Sequence, residues 1–429
     1  MMGVHLRRHS LRRSHMWLGV CLGAYACGRG IEVTPREVPT AGGSQSADPA
    51  LAIDAASGDL VMSWIEGDGR TWALYVARSS KSGNWSTPVR VAGGEDQPDE
   101  VHPHGESSPR LVAGPANHLA LVWPNNIKVE GRKWPAAMLR FSRSLDGGRT
   151  WSTPITLNDD TTGALVSHQF HGATLMGDSG LAVAWLDERE AVVPIASGAD
   201  GHAEHAAEPD AQIYLTTSAD FGRGWGPNRK GWNAACPCCR VSLARSTDGQ
   251  AVAGWRKHFP GNVRDVVTAT ISEQPGEPER VHPDDWAYEG CPHSGPAIAT
   301  GADMSTHVVW YNGKEGAAGV YYAKRAGKST VPAVPLVQGQ ALGVAHPAVV
   351  SLPSGGALAA YDVSPDGKRL IRVAELLSSG KVAAQQQVPV SEDGKYPQLA
   401  VPDSTTAVVA WTESKEEGSR IRLGLVTLR

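Results

Sequence analysis

The sequence predicts an all-β fold, a seven-bladed β-propeller with a six-bladed ring as the alternative. Two observations lead to this fold class. Short β-rich segments bounded by Gly, Pro and Asp recur roughly every 50–70 residues, and no segment has a convincing helical period. At 429 residues the chain is far longer than one ordinary domain needs, so repetition of a smaller unit explains its length.

The second strand of each predicted repeat contains an aromatic residue near its end. These strands span 60–66, 119–125, 181–187, 251–257, 307–312, 358–363 and 407–413, and their aromatic residues are Trp64, Trp123, Trp185, Trp255, Trp310, Tyr361 and Trp411. The third strands align equally well, at 74–79, 139–144, 213–218, 266–271, 320–325, 371–376 and 421–426. The repeats therefore lie near 49–91, 107–157, 167–230, 236–282, 291–337, 345–390 and 396–429. An array of β-sandwiches is the competing interpretation.

The seventh repeat ends at Arg429 after its third strand, although the other six repeats have a fourth, as at 86–91 and 152–157. An unpaired strand edge there would invite aggregation. Residues 31–35 resemble the missing strand, so we expect them to pair beside 421–426 and close the ring. Residues 28–429 are accordingly predicted to form one domain.

Residues 1–27 have the pattern of a signal peptide, with Arg7, Arg8, Arg12 and Arg13 before a short apolar stretch. That stretch is too short for a permanent transmembrane helix, and no later segment approaches the required length. Residues 24–28 loosely match a bacterial lipobox, so a lipid anchor at Cys27 and plain secretion remain open. The chain is expected to be exported, as a periplasmic or outer-membrane lipoprotein or as a secreted protein.

The net charge of −4 excludes the basic surface typical of nucleic-acid binding. Polar side chains instead concentrate in two sets of loops. One set precedes the innermost strand of each repeat, and the other joins the second strand to the third. These loops open on one face of a propeller and hold most histidines outside the leader, namely His102, His104, His168, His171, His202, His205, His258, His282, His293 and His346. This face is the candidate functional surface.

Four cysteines and a histidine begin two successive inner strands within this face. They are Cys236, Cys238, Cys239, Cys291 and His293. Thiolates with imidazoles favour copper or zinc, so we predict a metal site from these residues, with His168 and His171 as further candidates. The alternative for an exported chain is a disulfide, most simply Cys291 with one of the other three, or a disulfide combined with remaining metal ligands.

Residues 144–151 read Ser-Leu-Asp-Gly-Gly-Arg-Thr-Trp, which matches the Asp-box, and degenerate copies stand at 79–85 and 218–225. These segments resemble the sialidase (BNR/Asp-box) superfamily. The segments 236–240 and 290–296 resemble, more narrowly, a subgroup of bacterial exported sialidase-like proteins. The resemblance implies a propeller and, by analogy, an exo-α-sialidase or other glycoside hydrolase.

Sialidases use three arginines, a tyrosine nucleophile paired with a glutamate, and an aspartic acid, and they carry an Arg-Ile-Pro motif. That motif is missing here, so no catalytic position transfers directly. Candidates on the predicted face are Arg240, Arg264, Asp265, Tyr288 and Glu289, although Arg264 and Asp265 are also predicted to form a structural ion pair. Three functions follow: a metal centre for metal handling or redox chemistry, a carbohydrate-binding or hydrolysing propeller, and a scaffold that binds a surface protein.

Overall fold

The computed structural model describes residues 30–80, 83–131, 135–160, 165–190, 211–327, 329–330, 332–339 and 342–429. The predicted leader, including Cys27, and the loop histidines His202 and His205 lie outside these residues. Within them, no helix is long and apolar enough to cross a membrane.

The described chain forms antiparallel β-sheets, as the sequence predicts. After β1 (Ile31–Arg36), the first sheet contains β2 (Gln45–Ile53), β3 (Leu60–Gly67), β4 (Trp72–Ser79) and β5 (Val89–Gly93). The second contains β6 (Arg110–Ala113), β7 (Leu119–Ile127), β8 (Ala136–Ser144) and β9 (Ile155–Thr156). In both sheets, hydrogen-bonded neighbours follow one another in the chain. The fourth strands begin three residues later than the expected segments 86–91 and 152–157.

The next sheet has eight strands and joins two predicted repeats. Its first half contains β10 (His168–Met176), β11 (Gly180–Asp187), β12 (Ala211–Ser218) and β13 (Arg229–Ala235). Its second half contains β14 (Ser242–Arg245), β15 (Ala251–Phe259), β16 (Val263–Ile271) and β17 (Glu279–Arg280). The two halves meet where Ala235 of β13 pairs with Lys257 of β15.

Three further sheets complete the described chain. One contains β18 (Ala297–Thr300), β19 (Thr306–Asn312), β20 (Gly319–Ala326), β21 (Ser329–Thr330) and β22 (Val334–Gln338). Another contains β23 (Pro347–Ser351), β24 (Ala357–Val363), β25 (Leu370–Leu376) and β26 (Val382–Gln387). The last contains β27 (Gly394–Ala400), β28 (Thr406–Lys415) and β29 (Gly418–Leu428), with β1 at its edge. Single 3₁₀ turns lie at Gly105–Ser107, Pro115–Asn117 and Pro365–Gly367.

The N-terminal strand supplies the outer strand of the last sheet. β1 pairs antiparallel with β29, with Val33 opposite Val426. Both side chains are buried, and they share a cluster with residues of β28 and the preceding sheet. This is the pairing expected from the sequence, and it covers the edge that the chain terminus would leave open.

The first strands of successive units pack against one another. β2 contacts β6, and the contacts continue through β10, β14, β18, β23 and β27, which in turn contacts β2. Large aromatic side chains fill the spaces between neighbouring sheets. Trp123 of β7, for example, is fully buried in a cluster with Leu74 and Val76 of the preceding sheet. The recurring aromatic residue in the second strand is thus explained by burial between sheets.

The Asp-box at 144–151 is a hydrogen-bonded turn after β8. Asp146 Oδ1 accepts hydrogen bonds from the amides of Arg149 and Thr150, both at 3.0 Å, and Ser144 Oγ accepts the amide of Gly148 at 2.8 Å. The hydrogen bonds from Thr150 are the main reason that the pKa of Asp146 falls to about 2. The copy at 218–225 repeats this turn, with Ser218 Oγ accepting a hydrogen bond from the amide of Gly222 at 2.8 Å. The Ser, Asp and Gly residues of the motif are therefore accounted for by the hydrogen bonds of these turns.

Candidate cysteine and histidine site

Two loops bring the four cysteines together. Cys236, Cys238 and Cys239 lie between β13 and β14, and Cys291 lies between β17 and β18. A disulfide joins Cys238 to Cys291, and Cys236 and Cys239 are free. The Sγ atom of Cys236 is 3.5 Å from both Cys291 Sγ and Cys239 Sγ, while Cys239 Sγ is 4.0 Å from Cys291 Sγ. The four sulfurs lie close together, as predicted. The disulfide joins Cys291 to a cysteine of the first loop, which is the pairing that the disulfide alternative predicted.

Burial separates Cys291 from the other cysteines. Cys236, Cys238 and Cys239 are buried, whereas Cys291 is half-buried beside the exposed residues Gly290 and His293. The first three cysteines are thus enclosed by the fold, whereas Cys291 is partly open to solvent.

Local backbone geometry explains how these loops place their sulfurs. The amide of Cys236 donates to the carbonyl of Arg256 on β15 at 2.9 Å, and the amide of Cys239 donates to the carbonyl of Cys236 at 3.4 Å. The intervening Cys236–Cys239 segment is a turn with proline at its second position, where a fixed φ is favourable. In the second loop, a Cβ at Gly295 would lie 2.4 Å from the carbonyl oxygen of Arg240. Only glycine allows the two loops to approach this closely.

Two buried arginines lie beside the sulfurs. Arg264 Nη1 donates to Cys236 Sγ at 3.3 Å, and its Nε donates to the carbonyl of Tyr288 at 3.1 Å. Arg256 donates to three backbone carbonyls, those of Arg264 and Tyr311 at 2.7 Å and that of Ser294 at 3.2 Å. The two guanidinium groups place positive charge next to an uncharged or anionic sulfur cluster.

This environment separates the acidities of the two free thiols. The hydrogen bond from Cys239 is the largest influence on Cys236, and together with Arg264 and Arg256 it outweighs desolvation and lowers the pKa of Cys236 to about 7. Burial is the main reason that the pKa of Cys239 is raised. Cys236 is thus the thiolate of the pair, and Cys239 is its hydrogen-bond donor.

A buried ion pair supports both loops from a distant part of the chain. Glu106 in the loop before β6 pairs through Oε1 with the guanidinium of Arg240. Its Oε2 accepts the amide of Gly295 at 2.9 Å and the amide of Arg240 at 3.2 Å. Arg240, a candidate catalytic residue in the sequence, is therefore committed to structural contacts. This role of Glu106 is not predictable from the sequence, because the residues that it joins are far apart in the chain.

The predicted ion pair between Arg264 and Asp265 is not formed. Adjacent residues of a strand point to opposite faces, so Arg264 turns to Cys236 while Asp265 turns away. Asp265 pairs instead with Arg280 and accepts the amides of Asp285 at 3.0 Å and Trp286 at 3.3 Å. It therefore holds the segment that leads to Cys291.

The remaining catalytic candidates lie on the rim of the site. Tyr288 is 40% exposed and stacks on Trp286, with ring centroids 5.3 Å apart. Glu289 accepts a hydrogen bond from the side-chain amide of Asn262. Glu289 therefore has a partner other than the phenol of Tyr288 with which the sialidase analogy would pair it.

His168 and His171 lie on β10, outside the clustered donors. His168 Nδ1 is 3.0 Å from Asp187 Oδ2, which also accepts Trp185 Nε1 at 2.8 Å. His171 Nε2 is 3.0 Å from the carbonyl oxygen of Val122. Both rings are fully buried and contact the neighbouring strands, whereas His293 lies with the cysteines.

Acid is expected to destabilise the fold through His171. Burial, assisted by Arg110, lowers the pKa of His171 to about 3, so the unfolded chain takes up a proton near pH 6.5 that the folded chain resists. Stability from this group is therefore lost as the pH falls below 6.5, by about 2 kcal/mol between pH 7 and pH 5. Urea unfolding at both pH values measures the loss. Between pH 7 and pH 5, the free energy of unfolding of His171→Gln should fall by about 2 kcal/mol less than that of the wild type. Parallel pH curves for the two proteins would contradict a role of His171 in the acid sensitivity.

Residues 59–364 match the BNR repeat-like domain family. The chain belongs to this family. The sialidase-like β-propeller expected from the Asp-box is thereby confirmed, while the narrower cysteine-motif subgroup stays a prediction. No curated protein matches the sequence significantly.

Several solved structures share the fold of this BNR protein. A Dyadobacter fermentans protein described as of unknown function has a TM-score of 0.53 and 13% identity, over 93% of this chain and 100% of that one. An ulvan lyase of polysaccharide lyase family PL25 has a TM-score of 0.55 and 10% identity, over 92% and 98%. An α-L-arabinofuranosidase of Fusarium graminearum has a TM-score of 0.50 and 11% identity, over 92% and 97%. At these identities the likeness concerns the fold alone.

Proposed function

We propose that the two cysteine loops form a copper or zinc centre on one face of the propeller. The observation that carries the proposal is the grouping of donor atoms. Cys236, Cys239 and Cys291 form one group within 4.8 Å, and Cys238, Cys291 and His293 form a second. Cys291 belongs to both groups, so its sulfur links the two sets of three donor atoms.

The chemistry of these donors fits a soft or borderline ion. Thiolate sulfur and imidazole nitrogen select copper(I) or zinc, whereas calcium and magnesium prefer oxygen. Several thiolates around one divalent or monovalent ion leave a negative charge, which is costly to bury. Arg256 on β15 and Arg264 on β16 offset that charge, since both are buried beside these loops. Cys238 and Cys291 become ligands only when their disulfide is reduced.

Metal binding should depend on the clustered donors and not on other histidines of the same face. We expect reduced protein to retain about one equivalent of copper or zinc, and Cys239→Ser and His293→Ala to lower its affinity at least about tenfold. His102→Ala is the matched control, because His102 pairs with Glu100 at the surface. Elemental analysis after gel filtration measures the stoichiometry, and competition with a chromophoric chelator measures the affinity. Equal retention by all four proteins would contradict the proposal.

Carbohydrate binding on the same face is a second proposal. It is supported by the exposed ring of Tyr288, which is held flat against Trp286 at the rim of the site. Aromatic rings presented in this way stack on sugar rings. The ulvan lyase with a similar fold was solved with a bound -[GlcA(1-4)Rha3S]- saccharide. Titration of acidic and neutral oligosaccharides should show binding that survives chelation and is lost in Tyr288→Ala.

We also propose that the propeller is a closed ring of seven blades. The contacts from β2 through β6, β10, β14, β18, β23 and β27 back to β2 support this number. The eight-stranded sheet then represents two adjacent blades whose edges are hydrogen-bonded at Ala235 and Lys257. The alternative of six blades would require those two halves to act as one.

Export and lipid attachment at Cys27 remain proposals based on the N-terminal sequence. An oxidising compartment accounts for the disulfide between Cys238 and Cys291. Cell fractionation of the natural protein and of Cys27→Ser tests the anchor. Release of the variant from the membrane fraction would support lipidation, and an unchanged distribution would favour secretion or another mode of retention.

A further inference from the structure

The positions of the four sulfurs suggest chemistry that needs no metal ion. Cys236 and Cys239 have the Cys-x-x-Cys spacing of redox-active dithiols, and their sulfurs are 3.5 Å apart. Cys236 Sγ is also 3.5 Å from Cys291 Sγ, which belongs to the disulfide. One free sulfur thus touches both a second thiol and a disulfide sulfur.

We infer that the cluster is a dithiol–disulfide relay, in which the disulfide moves between an outer pair, Cys238–Cys291, and an inner pair, Cys236–Cys239. In the first step, the thiol of Cys236 gives up its proton and its sulfur bonds to Cys291 Sγ, while the bond between Cys238 and Cys291 breaks. Cys238 leaves with the bonding electron pair and takes up a proton. In the second step, the sulfur of Cys239 bonds to Cys236 Sγ, and Cys291 leaves as a thiol.

The two steps conserve atoms, protons and electrons. Two thiols and one disulfide become one disulfide and two thiols, so the internal transfer requires no external oxidant. Each new bond joins sulfurs that are 3.5 Å apart in the structure. Cys236 is the only cysteine that takes part in both bond-forming steps.

The relay changes which thiol reaches solvent. Cys236 and Cys239 are buried, with 0% and 1% of their surface exposed, whereas Cys291 is half-buried at the rim. When the inner pair carries the disulfide, Cys291 becomes a free thiol on a residue that is only half-buried. The substrate class that fits this opening is a low-molecular-weight disulfide, which Cys291 attacks to form a mixed disulfide and release a thiol. Cys238 then displaces the second thiol and restores the outer disulfide.

Irreversible alkylation of the native protein tests the transfer. Wild-type protein is stripped with a chelator, adjusted to one disulfide and two thiols per chain, and incubated with iodoacetamide. It is then denatured, treated with N-ethylmaleimide and mapped by mass spectrometry. We expect iodoacetamide on Cys291 and a disulfide between Cys236 and Cys239. A first label on Cys236 or Cys239, with the Cys238–Cys291 disulfide intact, would overturn the relay.

Two variants separate the steps. In Cys236→Ser the outer disulfide should persist, and alkylation of Cys291 should slow at least about tenfold. In Cys239→Ser only the first step is possible, so a Cys236–Cys291 disulfide should accumulate. Equal alkylation of Cys291 in the wild type and Cys236→Ser would overturn the relay, because it would show opening without Cys236. Circular dichroism checks that both variants fold.

The same protein preparations keep this inference distinct from the metal centre. A protein that transfers the disulfide but retains no copper or zinc would support the relay and contradict the metal proposal. A protein that binds the ion through the cysteines but never frees the Cys291 thiol would support the metal proposal and contradict the relay.

Discussion

Replacing Glu106 by glutamine should lower the free energy of unfolding by roughly 3–5 kcal/mol, because it removes one partner of a buried ion pair. Glu106 is 1% exposed and Arg240 is 5% exposed, so solvent cannot replace the lost carboxylate. Arg240 would keep its contact with the carbonyl of Pro347, but its charge would be left unpaired. Urea unfolding followed by tryptophan fluorescence measures the change.

The matched control for Glu106 is Glu32→Gln. Glu32 also pairs with an arginine, Arg429, but both side chains are exposed, and such pairs contribute about 0–1 kcal/mol. A similar small loss for both variants would show that the Glu106–Arg240 pair does not support the fold. Since Glu106 also accepts the amide of Gly295, its loss should additionally loosen the loop that carries Cys291 and His293.

Replacing Arg256 by methionine should cost about 3 kcal/mol or more, because three buried carbonyl groups lose their donor. These carbonyls belong to Arg264, Ser294 and Tyr311, and they come from β16, the Cys291 loop and β19. Methionine retains much of the volume, so the change isolates the hydrogen bonds and the charge. Thermal and urea unfolding provide the measurement.

The exposed residue Arg223 supplies the control for Arg256. Arg223→Met removes the same groups at the surface and should change stability by less than about 0.5 kcal/mol. We also expect Arg256→Met to weaken metal binding, because it removes positive charge that offsets the clustered thiolates. Unchanged stability would contradict the role of Arg256 in joining the two sheets to the site.

The regular part of the fold could be predicted because each repeat carries the same physical signals. The aromatic residue of the second strand is buried in every unit, so it recurs with the period of the repeat. The pairing of β1 with β29 followed from the missing outer strand of the last repeat. Joining of two repeats at Ala235 and Lys257 had no such signal, since it depends on one residue pair between strand edges.

The sequence predicted which cysteines form the site, but it did not predict most of the contacts that they make. Position at successive inner strands was enough to bring Cys236, Cys238, Cys239 and Cys291 together. Their connectivity was not predictable, because four cysteines allow three pairings. The role of Glu106 depends on contacts across 134 residues to Arg240 and across 189 residues to Gly295. The missed signal within the first loop was the Cys-x-x-Cys spacing of Cys236 and Cys239.

Assigning residues to one face of the propeller added His168 and His171 to the predicted metal ligands, although neither lies with the cysteines. His168 and His171 map to the expected loops, yet their rings contact buried strand residues. A histidine at the start of an inner strand can complete the core as well as bind a ligand. The side chains of Arg264 and Asp265 diverge for a related reason, since strand alternation outweighs their adjacency in sequence.

We propose that Cys236, Cys238, Cys239, Cys291 and His293 supply the ligands of a metal ion. Elemental analysis of the mature protein, purified natively and after reduction, together with a count of free thiols, tests for this ion. We predict about one equivalent of copper or zinc, with thiols that become reactive only when the ion is removed. No bound metal after reconstitution of fully reduced protein, with four freely reactive thiols, would contradict the claim.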